Sequence, residues 1–164
     1  MTAPAPALPV VRVFRPDGIL LNERFEIAER AAAGQSPARA EMARVPQLRR
    51  CANAMLRYHG LMPMSDDVAL VIGELVGNAI VHNHRGPLVT VQLRVAGRRL
   101  IVAVGTSKAS GRPVLRQPGP EAEHGRGLRL VDGIAQGRGG RWGVDTAGET
   151  LTVWCSLPLD GASA

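Results

Sequence analysis

One short stretch of the chain carries polar residues whose types and spacing suit proton and metal chemistry. In Glu74-Leu-Val-Gly-Asn78-Ala-Ile-Val-His82 the residues Glu74, Asn78 and His82 recur every fourth position, so on a helix they stack on one face. A carboxylate can take a proton from a hydroxyl, and a carboxamide one turn away can hold a metal ion or a phosphate. The rest of the stretch is strongly apolar. Its polar pair therefore either faces solvent as the stripe of an amphipathic helix or lines a polar pocket.

A second constellation is His124-Gly-Arg-Gly-Leu-Arg-Leu-Val131. Gly125 and Gly127 flank Arg126 where a loop turns into a helix. Glycines let a backbone approach a phosphate closely, and a helix N-terminus offers free N–H groups and the positive end of its dipole. Arg126 adds a bidentate phosphate donor. A glycine-rich helix start is also ordinary in a chain with 19 glycines. A third segment, Gly148-Glu-Thr-Leu-Thr-Val-Trp154, sets Thr150 and Thr152 on one face of a strand, a pattern that plain β propensity also produces. Cys51 and Cys155 lie too far apart for a CxxC motif. They read as reduced, part-buried thiols, and a zinc site lacks ligands.

The elements that would position these residues follow from periodicity. Residues 1–16 hold four prolines and read as an irregular tail. Residues 22–33 suit a short helix with Leu21, Phe25 and Ala28 on one side, and 38–43 a short edge strand. Pro46 suits the first position of a helix running to about His59, with Leu48, Ala52, Met55 and Leu56 on its apolar face and Gly60 as its cap. Ser65 reads as the N-cap of a helix over 66–82, with Asp66 and Asp67 in its acidic first turn. Alternation of Val89, Val91, Leu93 and Val95 predicts a half-buried strand, hairpinned through Gly97-Arg98 to a second strand over 100–104. Residues 105–124 lack periodicity, and a loop of that length in a compact domain is usually functional. A helix over 127–135 and two strands, 139–145 and 151–157, complete the order. Antiparallel hairpins with separately placed helices make an α+β two-layer sandwich.

Composition narrows the function classes. The chain has 164 residues, 45% of them hydrophobic, enough for one domain with a core of its own. Its net charge of +6 invites a nucleic-acid reading. Scattered basic residues and an aromatic content of 3% count against one, because stacking platforms are scarce. Lys108 is the only lysine, so the basic residues are otherwise all arginine; an acidic protein or a phosphate would use the same charge. The start is Pro/Ala-rich without a long apolar run, and the most apolar stretch, 68–81, carries Glu74 and Asn78. The expectation is a cytoplasmic protein that does not enter a membrane.

Taken in order, the segments resemble a known family. The run over 66–82 looks like the N box of GHKL-type (histidine-kinase-like) ATPases, the run over 124–132 looks like their second glycine box with a lid loop before it, and Gly148-Glu-Thr150 resembles the last box. Within the superfamily the likeness is to the anti-sigma-factor serine/threonine kinases and the small actinobacterial ATP-binding regulators. It covers roughly residues 38–158, leaving 1–37 as an N-terminal extension and 159–164 as a C-terminal tail.

The resemblance implies the Bergerat fold, a mixed, mostly antiparallel sheet covered by helices on one face, with ATP and Mg²⁺ held between the helices and a mobile lid. It implies that Glu74 is the general base, Asn78 the Mg²⁺ ligand, and Gly125, Arg126 and Gly127 the phosphate-binding hinge of a lid over 106–124. Thr150 corresponds to a threonine near the adenine. Implied partners are a sigma factor or an anti-anti-sigma factor, with a homodimer formed through residues 38–59. One position departs from the family. Val102-Ala-Val-Gly-Thr-Ser-Lys108 puts Thr106, or Gly105 with the alignment shifted by one, where the family has the aspartate that binds the adenine amino group. This leaves two readings: a kinase with a weakened adenine site, or a degenerate module that regulates a sigma factor or antagonist by contact alone.

Overall fold

The alternating segments pair as their pattern predicts. In the computed structural model, which describes residues 18–30, 36–83, 85–108 and 126–159, β2 (Leu88–Ala96) and β3 (Arg99–Thr106) form an antiparallel hairpin. Gly97 turns it with a φ of +58°, a left-handed conformation open to glycine at no steric cost. On one side Val89, Val91, Leu93 and Val95 meet Leu100, Val102 and Val104, all buried. A second hairpin, β4 (Arg141–Ala147) and β5 (Thr150–Pro158), joins through the pairing of β5 with β3.

Two expectations for the N-terminal third give way. Residues 18–26 are a strand, β1 (Gly18–Glu26), paired antiparallel with β2, where a helix over 22–33 was expected. Leu21 and Phe25 lie four apart, a spacing that fits one helical turn and two strand pleats equally well. Pairing decides it by setting Leu21 opposite Leu93 and Phe25 opposite Val89. Residues 38–43 are not an edge strand either. Arg39–Met42 is one helical turn, α1, and its third residue, Glu41, accepts a hydrogen bond from the Ala38 N–H at 3.2 Å and from the Ala28 N–H at 2.6 Å. The sheet order is β1-β2-β3-β5-β4, and among the described residues every pair is antiparallel rather than mixed.

The remaining helices, α2 (Arg44–Tyr58), α3 (Ser65–His82) and α4 (Arg126–Gly137), cover one face of the sheet. α2 starts two residues before Pro46, and a 3-10 turn at Met62–Met64 precedes Ser65, which is the first helical residue rather than the cap. Leu48, Ala52 and Leu56 of α2 are buried, as their spacing predicts. α3 lies at the centre of the layer and packs on both α2 and α4. Its valines, isoleucines and two glycines are poor helix formers, each costing about 0.5–1 kcal/mol against alanine. Burial of Val68, Val71, Ile72, Leu75, Val76 and Ile80, worth about 1.5–3 kcal/mol for each side chain, outweighs that cost. Among the described residues no helix is long and apolar enough to cross a membrane.

Polar contacts pin α3 at both ends. Arg30, 7% exposed, donates through Nη2 to the carbonyls of Ile80 at 2.7 Å, Val81 at 3.2 Å and Asn83 at 2.9 Å, while its Nη1 faces Glu41 at 3.9 Å. A cation there satisfies orphan carbonyls and complements the helix dipole. At the other end Arg138 pairs with Asp67 of the first turn and donates to the Pro63 carbonyl at 3.0 Å. Arg30→Ala should destabilise the fold by about 2–4 kcal/mol, because charged hydrogen bonds are lost and buried carbonyls are left unpaired. Urea unfolding of the two proteins measures it, and a loss under about 0.5 kcal/mol, the ordinary surface-mutation range, would refute the clamp.

Cys155 is fully buried on the helix-facing side of β5, and Cys51 is half-buried on α2. Burial first, and the Asp67 carboxylate second, push the Cys155 thiol from its ordinary 9.0 up to about 12. The unfolded chain releases this proton near pH 9 while the folded protein retains it. Stability therefore holds below pH 9 and falls through the window to pH 12, by about 1.4 kcal/mol per pH unit for this one group. Urea unfolding at several alkaline pH values should give a steeper decline for the natural chain than for Cys155→Ala, and parallel declines would contradict the shift.

Candidate nucleotide site

The stripe on α3 and the first turn of α4 meet. α4 runs antiparallel to α3: Arg138, just past its C-terminus, reaches Asp67, while Gly127, in its first turn, lies against Glu74 and Asn78. A Cβ on Gly127 would run into Glu74 Oε2 and stand 3.3 Å from Asn78 Nδ2. A side chain at this position would displace the Glu74 carboxylate from where it stands. Glu74 and Asn78 are each half-buried, and among the described residues neither has a hydrogen-bond or ion-pair partner. The free N–H groups and positive dipole end of α4 thus stand beside an open carboxylate and an open carboxamide.

Thr106 closes β3 at 3% exposure, on the helix-facing side with Val102 and Val104. Its cross-strand neighbours are Val89 and Leu151, both apolar and buried. Ser107 secures this end of the hairpin: its Oγ accepts from the Leu88 N–H at 2.8 Å, and its own N–H donates to the Leu88 carbonyl at 3.0 Å. Lys108 is exposed, with a φ of 49°.

Not every expected site residue joins this group. Thr150 is exposed at the start of β5, opposite Ala147, and shares the far face of the sheet with Thr152. Thr152 faces Gly105 there, where a Cβ on the glycine would stand 3.5 Å from the Thr152 Oγ1. The β5 residue beside Thr106 on the helix-facing side is Leu151. Arg126 supplies the first backbone unit of α4, and Gly125 and residues 109–124 of the expected lid lie outside the described residues. The residues that hold α3 in place, Arg30, Asp67 and Arg138, went unassigned in the sequence. Asp67 was visible as a first-turn acid, but nothing in the local pattern marks Arg30 as its helix's other anchor.

Among the described residues no group of three or more His, Cys, Asp or Glu could hold a metal ion. A magnesium ion at Asn78 fits that composition, because Mg²⁺ is commonly held by one or two protein oxygens with substrate phosphates and water completing the shell.

Residues 38–152 match the family described as the histidine kinase-like ATPase domain. The chain belongs to that family. The run that resembles the N box forms α3, and the run that resembles the second glycine box opens α4; the antiparallel sheet with helices on one face is the architecture of GHKL ATPases. Two solved structures are similar to it. The catalytic domain of the histidine kinase ThkA, in a nucleotide-free form, is 16% identical with a TM-score of 0.47, over 70% of this chain and 91% of that one. The histidine kinase domain of a blue-light-activated histidine kinase from Erythrobacter litoralis is 18% identical with a TM-score of 0.48, over 80% of this chain and 66% of that one. No curated protein sequence matches the chain. The matched region begins after β1 and Arg30, so the edge strand and the clamp on α3 are contributed by residues before it.

Gly127→Ala tests the close approach. Alanine is the better helix former, by about 1 kcal/mol in a helix interior, and the Glu74 side chain is flexible enough to move. Thermal stability should therefore change little, while affinity for MgATP falls at least about tenfold, or about 1.4 kcal/mol. Calorimetry paired with a thermal melt separates the two effects, and unchanged affinity would show that the glycine is dispensable.

Proposed function

We propose that the chain is an ATP-binding regulatory protein of the anti-sigma-factor serine/threonine kinase type, acting in the cytoplasm. It would pass the terminal phosphoryl group of ATP to a hydroxyl on a partner such as an anti-anti-sigma factor. The observation that carries this reading is the seat of Gly127 on Glu74 and Asn78, which gathers a base, a carboxamide and a helix N-terminus in one place. In this reading Glu74 takes the proton from the acceptor hydroxyl. The Asn78 side-chain oxygen holds Mg²⁺, the backbone of Gly125, Arg126 and Gly127 with the Arg126 guanidinium binds the phosphates, and Thr106 floors the adenine end. Bound MgATP supplies the phosphoryl group and the charge that offsets its oxygens. The protein's part is positioning and electrostatics, which dominate phosphoryl transfer.

A second reading, a degenerate module acting on a sigma factor or antagonist by contact alone, draws on Thr106. A neutral hydroxyl between Val89 and Leu151 replaces the carboxylate that the family uses to accept the adenine amino hydrogen bond. One missing buried hydrogen bond costs about 1–3 kcal/mol, or tenfold to over a hundredfold in affinity.

Titration with MgATP, and with MgGTP for comparison, decides between them. The kinase reading expects heat on ATP addition that disappears in Asn78→Ala, retained binding but no transfer in Glu74→Ala, and a stronger preference for ATP over GTP in Thr106→Asp. No heat at millimolar nucleotide overturns it and leaves the contact module. Transfer by Glu74→Ala at the natural rate overturns the assignment of the base.

A further inference from the structure

The face of the sheet turned away from the helices carries a cationic, part-apolar patch. Cross-strand register sets Arg94 opposite Ile101 and Ile19, and Ile101 opposite Ser156, which in turn faces Arg141. Arg99 lies on the same face and donates through Nε to Ser156 Oγ at 2.7 Å. Trp154 lies over Gly143, where a Cβ would stand 2.6 Å from the indole Cζ2, and the Arg141 guanidinium rests 5.9 Å from a Trp154 ring centre. Ile19 is 59% exposed. No carboxylate occurs in these rows of the face; the first, Asp145, stands opposite Thr152 nearer the other end. Among the described residues no helix packs here, since α2, α3 and α4 form one layer on the opposite face.

We infer that this patch is a docking surface for an acidic segment of a partner protein, separate from the nucleotide site. Tryptophan and arginine dominate interface hot spots, and a guanidinium pairs with a carboxylate in bidentate geometry. The Trp154 ring is half-buried on this face, with the Arg141 guanidinium beside it. Charge selects the occupant. Residues 1–17 carry Arg12 and Arg15 against Asp17, and residues 109–125 carry two arginines against two glutamates, so neither segment complements the patch; residues 160–164 offer a single acidic side chain, Asp160, against Arg94, Arg99 and Arg141. A second copy, with net charge +6, would set arginine against arginine. Single-stranded nucleic acid binds through successive aromatic platforms, and Trp154 is the one aromatic side chain in the patch. The inference stands whether or not the nucleotide reading holds, because the patch shares no residue with it.

The test is a calorimetric titration of the full chain with a synthetic peptide of glutamates and aspartates around a few leucines. An oligothymidylate of equal charge and a lysine-for-acid version of the peptide serve as comparisons. The expected result is saturable binding of the acidic peptide, weakened at least about tenfold in the double variant Arg94→Glu, Arg141→Glu and again in Trp154→Ala. Thermal melting and MgATP titration of the arginine variant should match the natural chain, since its side chains lie outside the core. Absence of peptide binding, equal binding by the arginine variant, or equal binding of the lysine peptide would overturn the inference. Tighter binding of the oligothymidylate would overturn it in favour of a nucleic-acid surface.

Discussion

The position of α3 rests on one buried guanidinium. Arg30 binds the carbonyls that α3 cannot satisfy for itself, and Asp67 at the opposite end takes Arg138. Both contacts complement the helix dipole, cation at the C-terminus and carboxylate at the N-terminus. A helix of weak intrinsic propensity is thereby fixed along its axis as well as pressed against the sheet. Glu74 lies near its middle, so its place relative to Gly127 depends on both anchors. Two of the buried Arg30 nitrogens, Nε and Nη1, find no hydrogen-bond acceptor, and the Glu41 carboxylate at 3.9 Å offsets their charge in part.

The candidate nucleotide site combines one tight contact with one slack one. Gly127 lets the first turn of α4 stand against the Glu74 carboxylate and the Asn78 carboxamide, and a side chain there would push the carboxylate aside. Thr106 at the other side is buried, with Val89 and Leu151 as its cross-strand neighbours. A carboxylate among those neighbours would lose hydration and demand a partner, whereas a threonine hydroxyl loses far less. The chain therefore keeps the costly polar cluster where phosphate chemistry would use it and has an inexpensive group where base recognition would use it.

Much of this was legible in the sequence, and the failures share a physical cause. The helix over 66–82 and the hairpin over 88–106 were readable because their apolar periods, 3.6 and 2, are unambiguous over several turns or pleats. The cluster of Glu74, Asn78 and Gly127 was legible through motif order. β1 was misread because its two anchoring side chains lie four apart, a distance common to both periods, and only its pairing with β2 separates them. Register is also what sets Leu151 beside Thr106 and turns Thr150 to the other face, and no local pattern carries register between distant strands. Arg30 meets carbonyls some fifty residues away, a contact without any local signature.

The two outermost strands bear on how copies of the chain meet. β1 and β4 end the sheet among the described residues, and each leaves a row of backbone groups open to strand addition. β1 is guarded: a bulge between Ile19 and Leu21 breaks its register, and Glu23 directs a charge to the core side opposite Val91. An incoming strand would have to bury that carboxylate. β4 carries Arg141 and Asp145 on its outer face, and Gly143 between them weakens the strand. Both margins are thus poor templates for strand addition, which disfavours polymerisation through the sheet.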